Sequence, residues 1–470
     1  MIHTLVSNFL KMSIRFSILL FLALYFSMTG LCAQENLMHK SWQLEGANQR
    51  IDSIRKGLTT LEFFYPDKQQ KPSKAVASFE LVNHDFNFGV SLTQMSPLST
   101  NYQEIYKACV KELFNFVTLG FYWAGRDERK DLTGYKRQMR AKVNWAVDNN
   151  IKIKGHPLLW HESLPKWVID YKDSAKLEKI IHKRIKDLIL SYPEIEYWDV
   201  YNEAIAPFKN HVTPSGVTRW ITYKGGIYPA MKSLYDFVNE LNPNKIYTNN
   251  HYHPTDPEFL KLNRFFIEEN VGYHAIGMQA HMQTHDGVFS EKELWNLVNT
   301  FTTLGKKIQF TEVTVTSSKL FHNWKDHQVF LAKRKEAQKR GKTLNLPSIA
   351  EKEVYQAAYL KDFYTLLFSH PNVSSITMWN LTDRNAWRGH AAGILDMELQ
   401  PKKSFFTLKK LIKDTWTTRV DTTFDFDKGV TFSGFYGTYE GVVKVDGTSY
   451  PFRFEHKKEA DKPIRITLSK

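Results

Sequence analysis

The sequence predicts an α/β fold: a (β/α)8 TIM barrel with small flanking β-rich segments at its N- and C-terminal ends. Three observations carry this. Between residues 86 and 379 eight short runs of β-formers alternate with amphipathic helical patterns. Most of those runs end on polar or charged residues, which is where a parallel barrel puts its chemistry. On either side of this stretch the helical pattern gives way to short alternating runs broken by turn residues.

The candidate strands fall at residues 86–92, 113–119, 151–158, 196–202, 245–249, 275–279, 307–311 and 374–379. The fourth is typical: Tyr197, Val200 and Tyr201 are β-formers, and Pro193 closes off what precedes them. Helical patterns between and after them cover 102–111, 134–149, 176–192, 220–241, 257–269, 291–304 and 351–369. Residues 317–350 are a polar, basic, helical insertion that the spacing places over the barrel mouth. Ahead of the barrel, 53–64 and 74–82 alternate with period two around a turn at Pro66, Asp67 and Lys68. After Lys413, residues 422–468 show the same texture, with turns at Asp427-Lys428-Gly429, Asp446-Gly447 and Asp461-Lys462-Pro463. The two β-rich ends are expected to pair. The resulting division is 1–33 as a leader, 34–84 and 416–470 as β-rich segments, and 85–415 as the barrel.

The leader reading rests on Lys11 and Arg15, an almost wholly apolar run from Phe16 to Met28, and small or permissive residues up to Ala33. The run is short for a membrane span, so export with cleavage near Ala33 is expected, and no stable span after it. A lipoprotein at Cys32 and a retained anchor are the alternatives. With Cys32 removed, Cys109 stands alone and forms neither a disulfide pair nor a cysteine metal site. The formal charge of +14 becomes +12 without Lys11 and Arg15. The excess is densest at Lys325, Lys333, Arg334, Lys335, Lys339, Arg340 and Lys342, either a solvated helix face or an attraction for acidic polymers. An exported chain makes nucleic acid a poor partner. The 12 Trp and 22 Tyr serve a large core, and flat rings at a surface also stack on flat ligands.

The strand ends converge on one bowl. They offer His156, Trp160 and His161, then Asn202-Glu203, then Asn249-Asn250-His251-Tyr252, then Gln279 and His281, then Glu312, then Trp379-Asn380 followed by Asp383, Trp387 and Arg388. Two carboxylates among imidazoles, amides and Trp faces suit glycosidic bond cleavage, one acting as acid and one attacking the anomeric carbon. His156, His161 and His281 as metal ligands match no zinc spacing, and no metal is expected.

These motifs in this order resemble glycoside hydrolase family 10, the endo-β-1,4-xylanases: GHPLLWH at 155–161, WDVYNEA at 198–204, IGMQAHM at 276–282, FTEV at 310–313, WNLTDRNAWR at 379–388 and GILDMELQPKKSF at 393–405. The resemblance runs from about Phe86 to Leu411. It implies a retaining mechanism with Glu203 as acid/base and Glu312 as nucleophile. It implies that Asn202 binds the sugar 2-hydroxyl, that His156 and Trp160 line the subsite of the attacked sugar, and that Gln279 bonds near the 2-hydroxyl. It implies that His281 orients Glu312 and that Trp379 and Trp387 form floor and wall. Like-charge coupling to Glu312 is expected to raise the Glu203 pKa. The implied partner is xylan or its oligosaccharides, with no cofactor; the oligomeric state stays open.

Two departures qualify this. After the second strand the family's Glu-Asn and Lys-Trp are missing, and the chain runs Leu119-Gly120-Phe121-Tyr122-Trp123-Ala124-Gly125-Arg126. Sugar binding there is expected to be weak or rebuilt from Tyr122, Trp123 or Arg126. Two residues after Glu312 the family's Asp is replaced by Thr314, a hydroxyl expected to accept from His281 without supplying charge. A different β-glycoside, exo-like action and a catalytically weak carbohydrate-binding barrel are the competing readings. Tyr436, Tyr439, Tyr450 and Phe452 either stack on sugars or fill the core of the C-terminal sheet.

Overall fold

The computed structural model describes residues 39–64, 73–96, 98–124, 132–208, 214–282, 287–458 and 462–468. The expected leader, Cys32, the turn at Pro66 and the candidate Arg126 lie outside these.

In chain order the strands are β1 (Lys56–Phe64), β2 (Lys74–His84), β3 (Asn87–Ser91), β4 (Phe116–Gly120), β5 (Lys152–His156), β6 (Leu159–Trp160), β7 (Tyr197–Asn202), β8 (Ile246–His251), β9 (Ala275–Met278), β10 (His281–Met282), β11 (Lys307–Val315), β12 (Val373–Met378), β13 (Arg419–Asp425), β14 (Val430–Phe435), β15 (Gly437–Val445), β16 (Thr448–His456) and β17 (Ile464–Thr467). Strands β3-β4-β5-β7-β8-β9-β11-β12 pair in parallel and close when β12 meets β3. Each is followed by at least one helix, giving the eightfold barrel that the alternating texture predicts. The barrel strands are buried on both faces, so their runs read as continuous β-formers rather than as alternation.

Differences from expectation have local causes. Residues Ala47–Arg55 are a helix, so the stretch read as a strand from Ser53 begins only at Lys56. Arg55 holds that helix to the barrel floor by donating to the carbonyls of Phe368, His370 and Val373. The helix expected over 220–241 is two, Gly216–Tyr223 and Ile227–Leu241. Gly225 (φ 90°) and Gly226 (φ 115°) turn the chain between them, in a region closed to most side chains. Strand β11 runs on through Glu312 to Val315 instead of stopping at Thr311. The insertion contains the helix Trp324–Lys339 and folds against the loop after β12, with the Leu346 amide donating to the Gly389 carbonyl.

The β-rich ends do pair. Strands β14-β1-β17 form one sheet and β13-β2-β15-β16 a second. Phe63 meets Phe424 and Phe452, and Phe79 meets Phe432, so the sheets share an aromatic core. This unit caps the N-terminal end of the barrel: Asp85 donates to the Tyr436 carbonyl, Asn83 to Asn150 ahead of β5, and His84 sits between Phe368 and Phe435. Tyr439, Tyr450 and Phe452 point inward at 0%, 4% and 8% exposure, which settles them as core. Among the described residues no helix is long and apolar enough to cross a membrane.

Candidate active site

Glu203 directly follows β7 in a left-handed conformation, φ 61°. A non-glycine residue there costs about 1–2 kcal/mol, and such strain gathers at functional positions. The Glu203 amide donates to the Asn250 carbonyl and the Glu312 amide to the Gln279 carbonyl. Both carboxylates are therefore fixed by the ladder of the barrel's C-terminal rim.

A chain of amides joins them. Gln279 Nε2 donates to Glu203 Oε1 at 2.9 Å and to Asn202 Oδ1 at 3.3 Å. Asn250 Nδ2 donates to Asn202 Oδ1 and to Glu312 Oε1, each at 2.9 Å. Asn250 Oδ1 accepts from Thr311 Oγ1 at 2.7 Å, which fixes the orientation of that amide. A Cβ on Gly277 would stand 2.6 Å from Asn250 Oδ1, so the glycine of the 276–282 motif makes room for this network. With its oxygen doubly engaged, the Asn202 amide nitrogen is left for a ligand hydroxyl.

The two carboxylates differ in surroundings. Burial raises the Glu203 pKa to about 7; the Gln279 and Trp160 hydrogen bonds pull it back, and the charge on Glu312 adds to the rise. Burial, rather than the like-charge coupling expected from the sequence, is thus the leading cause. Glu312 is 4% exposed and accepts from Asn250, with His281 Nε2 at 3.2 Å and His156 Nε2 at 3.9 Å.

Behind His156 lies a buried ion chain. His156 Nδ1 is 2.7 Å from Asp199 Oδ2, and Lys154 Nζ is 2.6 Å from Asp199 Oδ1. Lys154 also donates to Gln309 on β11 at 3.1 Å. Burial pushes His156 down, but the charge on Glu312 and the bond to Asp199 outweigh it and the net direction is up. Desolvation pushes Asp199 up, and Lys154 and His156 reverse that. His281 is lowered, by burial first and against the pull of Glu312. His281 Nδ1 is 2.9 Å from Thr314 Oγ1, and that hydroxyl donates to the Glu312 carbonyl at 3.2 Å.

Aromatic faces complete the bowl. Trp160 donates Nε1–H to Glu203 Oε2 at 3.2 Å. Trp379 is edge-on to His156 and His281, and Trp387 stacks on His281 with centroids 4.2 Å apart. Tyr122 sits 5.7 Å from the His156 ring and 6.0 Å from that of Trp160, and burial followed by the charges of Glu312 and Glu203 pushes its phenol upward. Trp123 is buried behind the wall against Trp167. Of the residues singled out from the strand ends, His156, Trp160, Asn202, Glu203, Asn250, Gln279, His281, Glu312, Trp379 and Trp387 meet at one site, whereas Asn249 bonds Asn263 and Asp383 pairs with Lys402. Asp199, Lys154 and Thr311 belong to it too; Thr311 stood at a predicted strand end, while Asp199 and Lys154 lay inside theirs. No three His, Cys, Asp or Glu side chains among the described residues are grouped to hold a metal ion.

The sequence profile described as Glycosyl hydrolase family 10 matches residues 79–411. The chain belongs to glycosyl hydrolase family 10. Endo-1,4-beta-xylanase B of Paenibacillus barcinonensis is 27% identical over 284 residues, 57% of this chain and 79% of that protein. The anti-sigma-I factor RsgI6 of Acetivibrio thermocellus is 25% identical over 415 residues, 86% of this chain, and the match spans 47% of its length. Xylanase 10B of Thermotoga petrophila, solved with xylobiose, superposes with a TM-score of 0.55 at 20% identity, covering 70% of this chain and 95% of that one. The solved neighbour supports the fold.

Proposed function

We propose that this family 10 chain hydrolyses β-1,4-xylosidic bonds in xylan or xylo-oligosaccharides with retention of configuration. The observation that carries the reading is the unequal pair joined through Gln279, Asn202 and Asn250. Glu203, held near pKa 7, protonates the leaving oxygen. Glu312, bonded by Asn250 and His281, attacks the anomeric carbon to give a glycosyl ester. Glu203 then takes a proton from water, which displaces the ester and returns Glu312 as carboxylate. Asn202 meets the 2-hydroxyl, His156 and Trp160 line the attacked sugar's subsite, and Trp379 and Trp387 form its floor and wall. The xylanase relatives support the substrate class. Replacing Glu312 by Ala tests the assignment: full retention of xylan hydrolysis defeats it.

Tyr122 favours a second reading of the cleavage pattern. Its ring folds so closely that a Cβ on Gly120 would stand 2.9 Å from Tyr122 Cε2, and it crowds the side where the family's Glu-Asn-Lys set is missing. Removal of single sugars from a chain end, or another β-glycoside, follows if that side admits no second ring. Product profiles on defined oligosaccharides separate the two. Export is part of the proposal, resting on residues 1–33; sequencing the mature N-terminus checks cleavage near Ala33.

A further inference from the structure

Arg388 follows Trp387 on the loop after β12. It holds a left-handed conformation, φ 56° and ψ 11°, at a cost only surrounding contacts repay. Its guanidinium carbon lies 4.1 Å from the Trp387 ring centroid and 5.6 Å from that of Trp324, the first residue of the insertion's helix. His281 stacks on the same Trp387 at 4.2 Å. Two groups so close to one ring take opposite faces. The order is then His281, Trp387, Arg388, Trp324, a column running from the Glu312 imidazole out to the insertion.

Among the described residues the guanidinium makes no hydrogen bond and no ion pair. Glu203 and Glu162 are the carboxylates that favour its charge, and neither is within ion-pair reach. Stacking occupies the flat faces of the group and leaves its in-plane N–H fork unused. A half-buried guanidinium whose in-plane fork is left open complements a planar carboxylate, which it can grip through two parallel bonds.

We propose that Arg388, clamped between Trp387 and Trp324, binds the carboxylate of a uronosyl substituent on the glycan that occupies the cleft. The inference rests on the xylan-type reading of the same cleft, and adds an acidic branch as the preferred decoration. The basic insertion supports it: Lys325, Lys333 and Lys335 follow Trp324 along the same helix and draw polyanions toward the mouth. The insertion thereby contributes a specificity element that the barrel strands do not supply.

The test uses the full mature chain and its Arg388→Gln and Arg388→Lys variants. The Michaelis constant is measured for a neutral xylo-oligosaccharide and for one carrying a single glucuronosyl branch. Affinity electrophoresis is run in parallel through neutral arabinoxylan, glucuronoxylan, polygalacturonate and dextran sulfate. The expected result is that Arg388→Gln shifts the ratio of the two Michaelis constants about tenfold against the branched substrate, in line with loss of a charged hydrogen-bonded pair, and that Arg388→Lys recovers only part of it. A ratio that does not move means that Arg388 only braces Trp387, and overturns the proposal. Retention that depends on Arg388 in dextran sulfate but not in the uronate gels overturns it in favour of a sulfate ester. Xylans neither cut nor retained, with Arg388-dependent retention in polygalacturonate, would defeat the xylanase reading and leave the carboxylate site standing.

Discussion

The two ends of the barrel use aromatic residues for different purposes. At the N-terminal end, rings of the β-sandwich satisfy one another: Phe79 touches Phe432, Tyr439, Phe452 and Phe454, all buried. At the C-terminal end, Trp160 and Trp387 stay half-buried and are tied to ionisable partners, one by a hydrogen bond to Glu203 and the other by its stack on His281. The first arrangement spends ring area on stability. The second holds the geometry of charged groups. Composition alone cannot separate these uses; what each ring faces does.

Four substitutions test that contrast. Glu203→Ala is expected to lower kcat by about 10² to 10⁴-fold on substrates with poor leaving groups, and to remove the loss of activity as pH rises through about 7; pH–rate profiles of both forms check it. Phe79→Ala is expected to cost about 3–5 kcal/mol of stability, read by denaturant titration, while the Michaelis constant stays where it was. A changed Michaelis constant would mean that the two ends are coupled. Asn250→Ala removes three hydrogen bonds at the centre of the amide chain, one of them to a carboxylate. It is expected to lower kcat/KM by about 10 to 100-fold with little change in melting temperature. The smallest effect concerns Glu203→Gln. Because the Glu203 pKa is raised in the folded state, its neutral form favours folding below the unfolded pKa, and that contribution is lost as pH climbs through about 7. The Gln variant should therefore gain melting temperature relative to the native chain between about pH 5 and 8.

The barrel was legible because parallel strands buried on both faces leave unbroken β-former runs, and because their polar ends coincide with known motifs. Glu203, Glu312, Gln279 and His281 were readable on that ground. Asp199 and Lys154 were not: each lies inside a strand run, where a charged residue carries no periodic signal, and their meaning appears only when β5, β7 and β11 come together around the barrel axis. Gly225-Gly226 did carry a signal for a helix break, which the apolar periodicity on either side masked. The short helix Ala47–Arg55 owes its place to Arg55 reaching three carbonyls more than 300 positions away, a contact no local pattern encodes.

The central claim is that Glu312 attacks sugar carbon while Glu203 manages the proton. Mass spectrometry of the chain after incubation with a 2-deoxy-2-fluoro-β-xylobioside carrying a good leaving group tests it most directly. The fluorine slows both steps, and the leaving group lets formation of the ester outrun its hydrolysis. The account predicts one added fluoro-disaccharide, mapped by peptide digestion to Glu312. An adduct on any other residue, or none from this reagent or its cellobioside counterpart, would contradict it.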